Sequence, residues 1–204
     1  VWIGLDLSQT DDNTAVAMVT EADGIVYAKV WGFIPSEKVD FKTEKEGIDY
    51  ARLIENGEVI ACGEEVIDYQ TIEHHLLTLE ENYGVEIVQI GYDRYNAIST
   101  VNKLENAGYE CVEVKQHSSV LHRPTKYLRE MILNKTFAYM AKVYNLLENN
   151  FSNARCTEDT NLNKYVNKKR SAGKVDMVVA TIIATYLLQL EMDEAETGFI
   201  VQVG

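Results

Sequence analysis

The 204-residue sequence has only two prolines, Pro35 and Pro124, and three cysteines, Cys62, Cys111 and Cys156. So few prolines leave little room for an extended linker, and the length suits a single domain over residues 1–204 with a full core. The cysteines are widely spaced, odd in number and form no CxxC pair. That pattern argues against a disulfide framework or a zinc site and fits a reducing cytoplasm. No run reaches the roughly 18 apolar residues of a membrane span, nothing resembles a signal peptide, and no membrane partner is expected. Positive charge is scarce as well: 19 Lys and Arg against 32 Asp and Glu give a net charge of −13. This excludes broad, passive adhesion to nucleic acid, which depends on Lys and Arg releasing counterions. Three signatures are also missing: the Gly-rich Lys-Ser/Thr phosphate loop, the G-x-S-x-G elbow and the HExxH zinc helix. The sequence opens at Val1 inside a strand pattern and lacks an initiator methionine, so it is expected to be a piece of a longer polypeptide.

A hydrophobic content of 46% and a charged content of 25% are ordinary for a globular protein. Residues 2–7, 14–20 and 25–34 read as three strands, the last two joined through Ala22-Asp23-Gly24 into an antiparallel meander. Pro35-Ser36 ends it, and residues 36–50 read as a charged surface excursion with some helix around 46–55. Residues 71–83 predict one helix stopped by Gly84. The next strand is VEIVQIGYD, followed by a helix closed by Gly108 and the strand YECVEVK. Strand, helix, strand implies parallel neighbours with a right-handed crossover. Further helices are expected around Tyr127 to Ile132, around Val143 to Leu147 and over 175–191, the last apolar nearly all round and so packed on both sides. The polar run 149–163 follows the helix around Val143 to Leu147.

Three aspartates carry most of the functional information. Asp6 ends VWIGLD, Asp93 ends VEIVQIGYD, and Asp176 opens the apolar helix. Ligands of open α/β sheets sit beyond the carboxyl ends of strands, so folding can bring all three carboxylates to one sheet edge. Such a cluster needs protons or cations, and hard oxygen ligands suit Mg²⁺ or Mn²⁺. Each aspartate also has an ordinary reading: a strand-end side chain bonding to the next turn for Asp6 and Asp93, and a favourable helix-start charge for Asp176. Asp11 and Asp12 are auxiliary ligands or turn residues. Lys164, Lys168, Lys169, Arg170 and Lys174 form a basic patch just ahead of Asp176, and His122, Arg123, Lys126 and Arg129 a second one. Either patch is a solvated face or a nucleic-acid contact. The four histidines show no metal spacing and read as surface or packing residues.

IGLDLSQTDDNTAVAMV, GIVYAKVWGFIP, IGYDRYNA and KKRSAGKVDMVVATIIA resemble, in that order, the nuclease domain of phage terminase large subunits. The resemblance implies a ribonuclease H-like α/β fold, with a mixed sheet made of an antiparallel N-terminal meander plus parallel strands and flanked by helices. It also implies an endonuclease that uses two Mg²⁺ or Mn²⁺ ions to cut concatemeric viral DNA during genome packaging. Asp6, Asp93 and Asp176 then occupy the metal-ligand and catalytic positions, and Lys168, Lys169, Arg170 and Lys174 meet DNA. Implied partners are double-stranded DNA, the terminase ATPase domain, the small terminase subunit and the portal, in the cytoplasm of an infected bacterium. Some relatives carry a histidine before the third aspartate. Here Ala172-Gly173-Lys174-Val175 stands instead, and Lys174 is a candidate to face phosphate.

Three rivals remain open on sequence alone. IGLDLSQT also resembles the first phosphate loop of sugar kinases and actin-like ATPases, although the second Gly-rich loop and the adenosine contact are missing. A resolvase or transposase of the same fold is another, and an inactive docking module with an acidic surface is the third.

Overall fold

The structure, a computed structural model, describes residues 1–8, 13–94, 96–140 and 146–200, with side chains through residue 195. Its centre is a mixed sheet. Strands β1 (Trp2–Asp6), β2 (Thr14–Ala22) and β3 (Ile25–Ile34) form the expected antiparallel meander. The β2–β3 turn is Asp23-Gly24, with φ of 52° and 76°. Two positive φ values in a two-residue turn match the twist of the strands they join, and Asp-Gly is a sequence that accepts them. After β3 come α1 (Val39–Glu46), α2 (Tyr50–Glu55) and the short strand β4 (Val59–Ala61). Next are α3 (Tyr69–Leu77), α4 (Leu79–Tyr83), β5 (Gln89–Tyr92), α5 (Ile98–Asn106) and β6 (Cys111–Glu113). The chain continues through α6 (Ser118–Leu133), β7 (Phe137–Tyr139), α7 (Leu146–Asn153), the hairpin β8 (Cys156–Glu158) and β9 (Lys164–Val166), and α8 (Asp176–Ile200).

The sheet order is β4-β3-β2-β1-β5-β6, with β7 also on β3. β5–β6 are parallel, as the strand-helix-strand order predicts, and β1 also pairs with β5 in parallel. Residue alternation assigns the two faces. Ile3, Leu5, Val16, Met18, Trp31 and Phe33 point to the side covered by α3, α4 and α5. Ala15, Ala17, Val19, Val26, Ala28 and Val30 point to the side covered by α8 and its neighbours. Small residues let α8 lie close. A Cβ on Gly4 would fall 2.0 Å from the Ala180 carbonyl oxygen, and one on Gly91 2.7 Å from Ile183 Cγ2. Backbone packing of that kind fixes where the helix begins relative to the end of β1.

Several expectations are corrected. Residues 36–50 lie mostly at the surface and α2 falls within 46–55, as expected, but the segment also forms α1 and buries Lys42, Ile48 and Tyr50. The charge is satisfied inside: Lys42 pairs with Glu46 at 3.2 Å, and the Tyr50 hydroxyl donates to Glu46 at 2.6 Å while accepting from Asn13 Nδ2 at 3.0 Å. The single helix expected over 71–83 breaks at Thr78, whose hydroxyl donates to the His74 carbonyl at 2.9 Å and competes with the helix ladder. β5 starts only at Gln89, and α6 starts at Ser118, well before the apolar pattern around Tyr127. β4 and β7 add to the sheet, α7 extends into the polar run as far as Asn153, and β8 within the run pairs with β9 just after it. Val143 lies outside the described residues. Among those described, no helix is long and apolar enough to cross a membrane.

Candidate metal centre

Asp6 is the last residue of β1 and Asp93 follows β5. Leu5 pairs in parallel with Tyr92, so the two aspartates leave the sheet side by side at the carboxyl ends of neighbouring strands. Asp176 is the first residue of α8, where the helix dipole favours an anion. The helix start is itself anchored: buried Asn150 accepts from the Met177 N–H at 3.1 Å and donates to the Leu146 carbonyl at 3.0 Å. Asn153 Nδ2 donates to the Lys174 carbonyl at 3.2 Å, so α7 holds the approach to Asp176 at two points.

Asp6 and Asp176 converge on one cation, the ammonium of Lys168. Its Nζ lies 2.5 Å from Asp6 Oδ2 and 3.2 Å from Asp176 Oδ1. The carboxylate side chains are 7% and 4% exposed, against 43% for the lysine, which reaches in from solvent. Burial pushes the Asp6 carboxyl up to about 7. Lys168 opposes this, while Asp176 and Asp93 push the same way. For Lys168, burial works against the ammonium, but Asp6 and Asp176 outweigh it and hold its pKa above the ordinary lysine range. Lys168 is thus a cation that the two carboxylates share. Asp93 is near enough to be felt by Asp6, and with Gln116, Thr125, Tyr165, Lys168 and Lys169 it lines an adjoining cavity of about 360 Å³. Among the described residues, no three carboxylate, imidazole or thiol groups gather closely enough to hold a metal. The arrangement is two carboxylates on an ammonium with the third beside them.

The remaining candidates are spread around this centre. Lys168, Lys169 and Arg170 form one 3-10 turn, which Asn167 caps by accepting from the Lys169 and Arg170 N–H groups at 3.0 and 3.3 Å. Lys169 and Arg170 are exposed. Lys174 is half-buried and lines a different cavity with Glu46, Asn149 and Asn153. Asp11 and Asp12 lie outside the described residues. His117 caps α6, and His122 Nδ1 accepts from the Lys164 N–H at 2.8 Å. The sequence places Lys168 among the DNA-facing residues and holds no signal for its pairing with Asp6, 162 residues away. Asn150 and the Lys42–Glu46–Tyr50–Asn13 group carry no such signal either, because polar residues inside charged or amidic stretches look solvated.

Residues 1–194 match the family described as terminase large subunit, endonuclease domain. The chain belongs to that family. A stretch of 93 residues is 29% identical to the terminase large subunit of Lactococcus phage p2, covering 45% of this chain and 17% of that protein. The fold is similar to the large terminase of bacteriophage HK97, with a TM-score of 0.82 and 20% identity over 91% of this chain and 39% of that one. It is also similar to the large terminase nuclease of thermophilic phage G20c with bound magnesium, with a TM-score of 0.55 and 15% identity over 90% of this chain and 79% of that one. The chain therefore spans well under half of the full-length terminases it matches. These similarities establish the mixed α/β fold expected from the sequence, a mixed sheet flanked by helices.

Proposed function

We propose that this terminase nuclease domain is a divalent-metal-dependent DNA endonuclease that cuts concatemeric viral DNA during packaging. One observation carries the reading: two buried carboxylates, from the end of β1 and the start of α8, share a single cation at the sheet edge. The lysine is a stand-in ion whose position fits a metal site. The magnesium bound by the G20c nuclease supports the same choice. Asp6, Asp93 and Asp176 would hold Mg²⁺ or Mn²⁺, two ions in the full form of the reading, with Asp93 closing onto the pair. Bound there, the metal supplies a water of lowered pKa and stabilises the departing 3′ oxygen. The aspartates orient ligands and do not attack phosphorus. Lys168, Lys169, Arg170 and Lys174 would position phosphates, which fixes where the backbone lies without reading sequence. Cleavage is accordingly expected to show little sequence preference. The 204 residues would act as one nuclease domain of a longer chain, working on double-stranded DNA with the terminase ATPase domain, the small subunit and the portal in the infected bacterial cytoplasm.

Asp6→Asn and Asp176→Asn are each expected to abolish plasmid nicking in Mn²⁺. Thermal unfolding of Asp6→Asn without metal should be unchanged or slightly raised, because the neutral amide relieves a carboxylate whose charge is disfavoured. Full nicking activity in either variant would falsify the assignment. A second reading, an inactive docking module, draws on the lack of a three-group metal cluster among the described residues. Failure of the wild-type chain to bind Mn²⁺ at millimolar concentration would favour it.

A further inference from the structure

Lys168 differs from its two partners in how it is attached. Asp6 ends a buried central strand and Asp176 begins a helix packed against Gly4, so neither backbone can shift without disturbing the core. Lys168 hangs from a three-residue 3-10 turn with no buried residue, held from within by Asn167. The Asn167 side chain is tied in turn to Thr157 at 3.2 Å on the β8 strand of the hairpin. The turn buries no side chain of its own, and its other ties are polar, the Asn167 N–H to the Arg155 carbonyl at 2.9 Å and the Arg155 N–H to Ser171 Oγ at 3.1 Å.

The ammonium also occupies the very oxygens a metal would need. A divalent ion bound at about 2.0–2.2 Å to Asp6 Oδ2 and Asp176 Oδ1 competes with Nζ for the lone pairs of the same atoms, and two cations there would repel. We propose that Lys168 is a resident counter-ion that divalent metal must displace, so that this one residue limits metal uptake by the DNA-free domain. Once displaced, the side chain swings outward beside Lys169 and Arg170, where its charge is available to a DNA phosphate. Metal loading and phosphate binding are then coupled through one side chain: a phosphate that holds the ammonium outside favours metal inside. This inference rests on Asp6 and Asp176 being metal ligands, and it adds a competitor for them from within the chain.

The test compares the wild-type 204-residue chain with Lys168→Met, which keeps the stem and removes the charge, and Lys168→Arg, which keeps the charge. Mn²⁺ binding is measured by isothermal titration without DNA, and thermal unfolding is followed in EDTA and in Mn²⁺. Lys168→Met is expected to melt lower in EDTA, to bind Mn²⁺ at least about tenfold more tightly, and to gain more in melting temperature on adding the metal. Lys168→Arg should bind no more tightly than wild type. Equal or weaker Mn²⁺ binding by Lys168→Met overturns the proposal, since the lysine then supports the metal or stands apart from it. Absence of binding in wild type and Lys168→Met alike overturns it together with the metal-centre reading, a result distinct from the first. Should Lys168→Met not fold, the wild-type chain still decides: mass-spectrometric mapping of lysine acetylation must show Lys168 protected in EDTA and more reactive in Mn²⁺. Equal reactivity in both rejects the displacement.

Discussion

His75 lies on the face of the sheet opposite α8, its ring edge-on to Trp31 at 4.7 Å and to Phe33 at 5.5 Å between centroids. Burial lowers its pKa to about 4, with Lys29 and His74 acting in the same direction. The folded form therefore takes up this proton about 2.5 pH units later than the unfolded chain. Its contribution to stability is complete above about 6.5 and is lost as pH falls towards 4. His75→Phe keeps the aromatic edges and removes the proton. It should reduce the slope of stability against pH between those values by up to roughly 1.4 kcal/mol per unit, read from urea unfolding at a series of pH values. Superimposable slopes would show that the imidazole does not titrate with unfolding. At this scale the sequence is informative about acids and silent about their counterpart. Asp6, Asp93 and Asp176 stand out because each sits at the end of a periodic segment, which says where it leaves the fold. The partner of Asp6 cannot be read, since a basic run near a helix start looks the same whether its lysines face water or a buried carboxylate.

Among elements, the seam between β1 and α8 decides the geometry of the site. Gly4 faces the Ala180 carbonyl and the Ala184 N–H, and Ala15, Ala17 and Gly32 extend the same low surface. Gly4→Val would insert its side chain into backbone rather than into a flexible neighbour, so the helix must lift. A loss of about 3 kcal/mol or more is expected by chemical denaturation, at the upper end of overpacking costs. Nicking activity should fall further than stability alone predicts, as Asp176 moves away from Asp6. A variant as stable as wild type would mean that the helix is not seated as described. Long elements are readable for the same reason that they are stable: β1 to β3 and α8 present repeated apolar positions. The three-residue strands β4, β7, β8 and β9 are too short for an alternation to show, and their partners are supplied by tertiary packing.

For the molecule as a whole, charge is unevenly shared. Between residues 118 and 175 eleven Lys and Arg meet four Asp and Glu, so a chain of net charge −13 is positive over that segment and strongly acidic elsewhere. The positive segment carries α6, the β8–β9 hairpin and the turn beside the centre. On the proposed function, an anionic duplex would be attracted to that segment and repelled elsewhere, which would orient it before it docks. Lys169→Ala with Arg170→Ala should weaken duplex binding measured in Ca²⁺ or EDTA. The double variant should also lower the slope of log affinity against log salt by about 1 to 2, roughly one for each phosphate that is no longer neutralised. An unchanged slope would remove the turn from the DNA path and leave the assignment of the acidic centre untouched.

The outer rim of β3 is divided between two short companions. β7 covers Val26 to Ala28 and β4 covers Gly32 to Ile34, so a ten-residue strand is flanked by two three-residue ones. Open strand rims invite a second polypeptide to zip on, and fragmenting the rim shortens the template. Loosening Phe137–Tyr139 would uncover a stretch of β3 rich in Val, Tyr and Ala, and the first symptom would be self-association rather than loss of cutting.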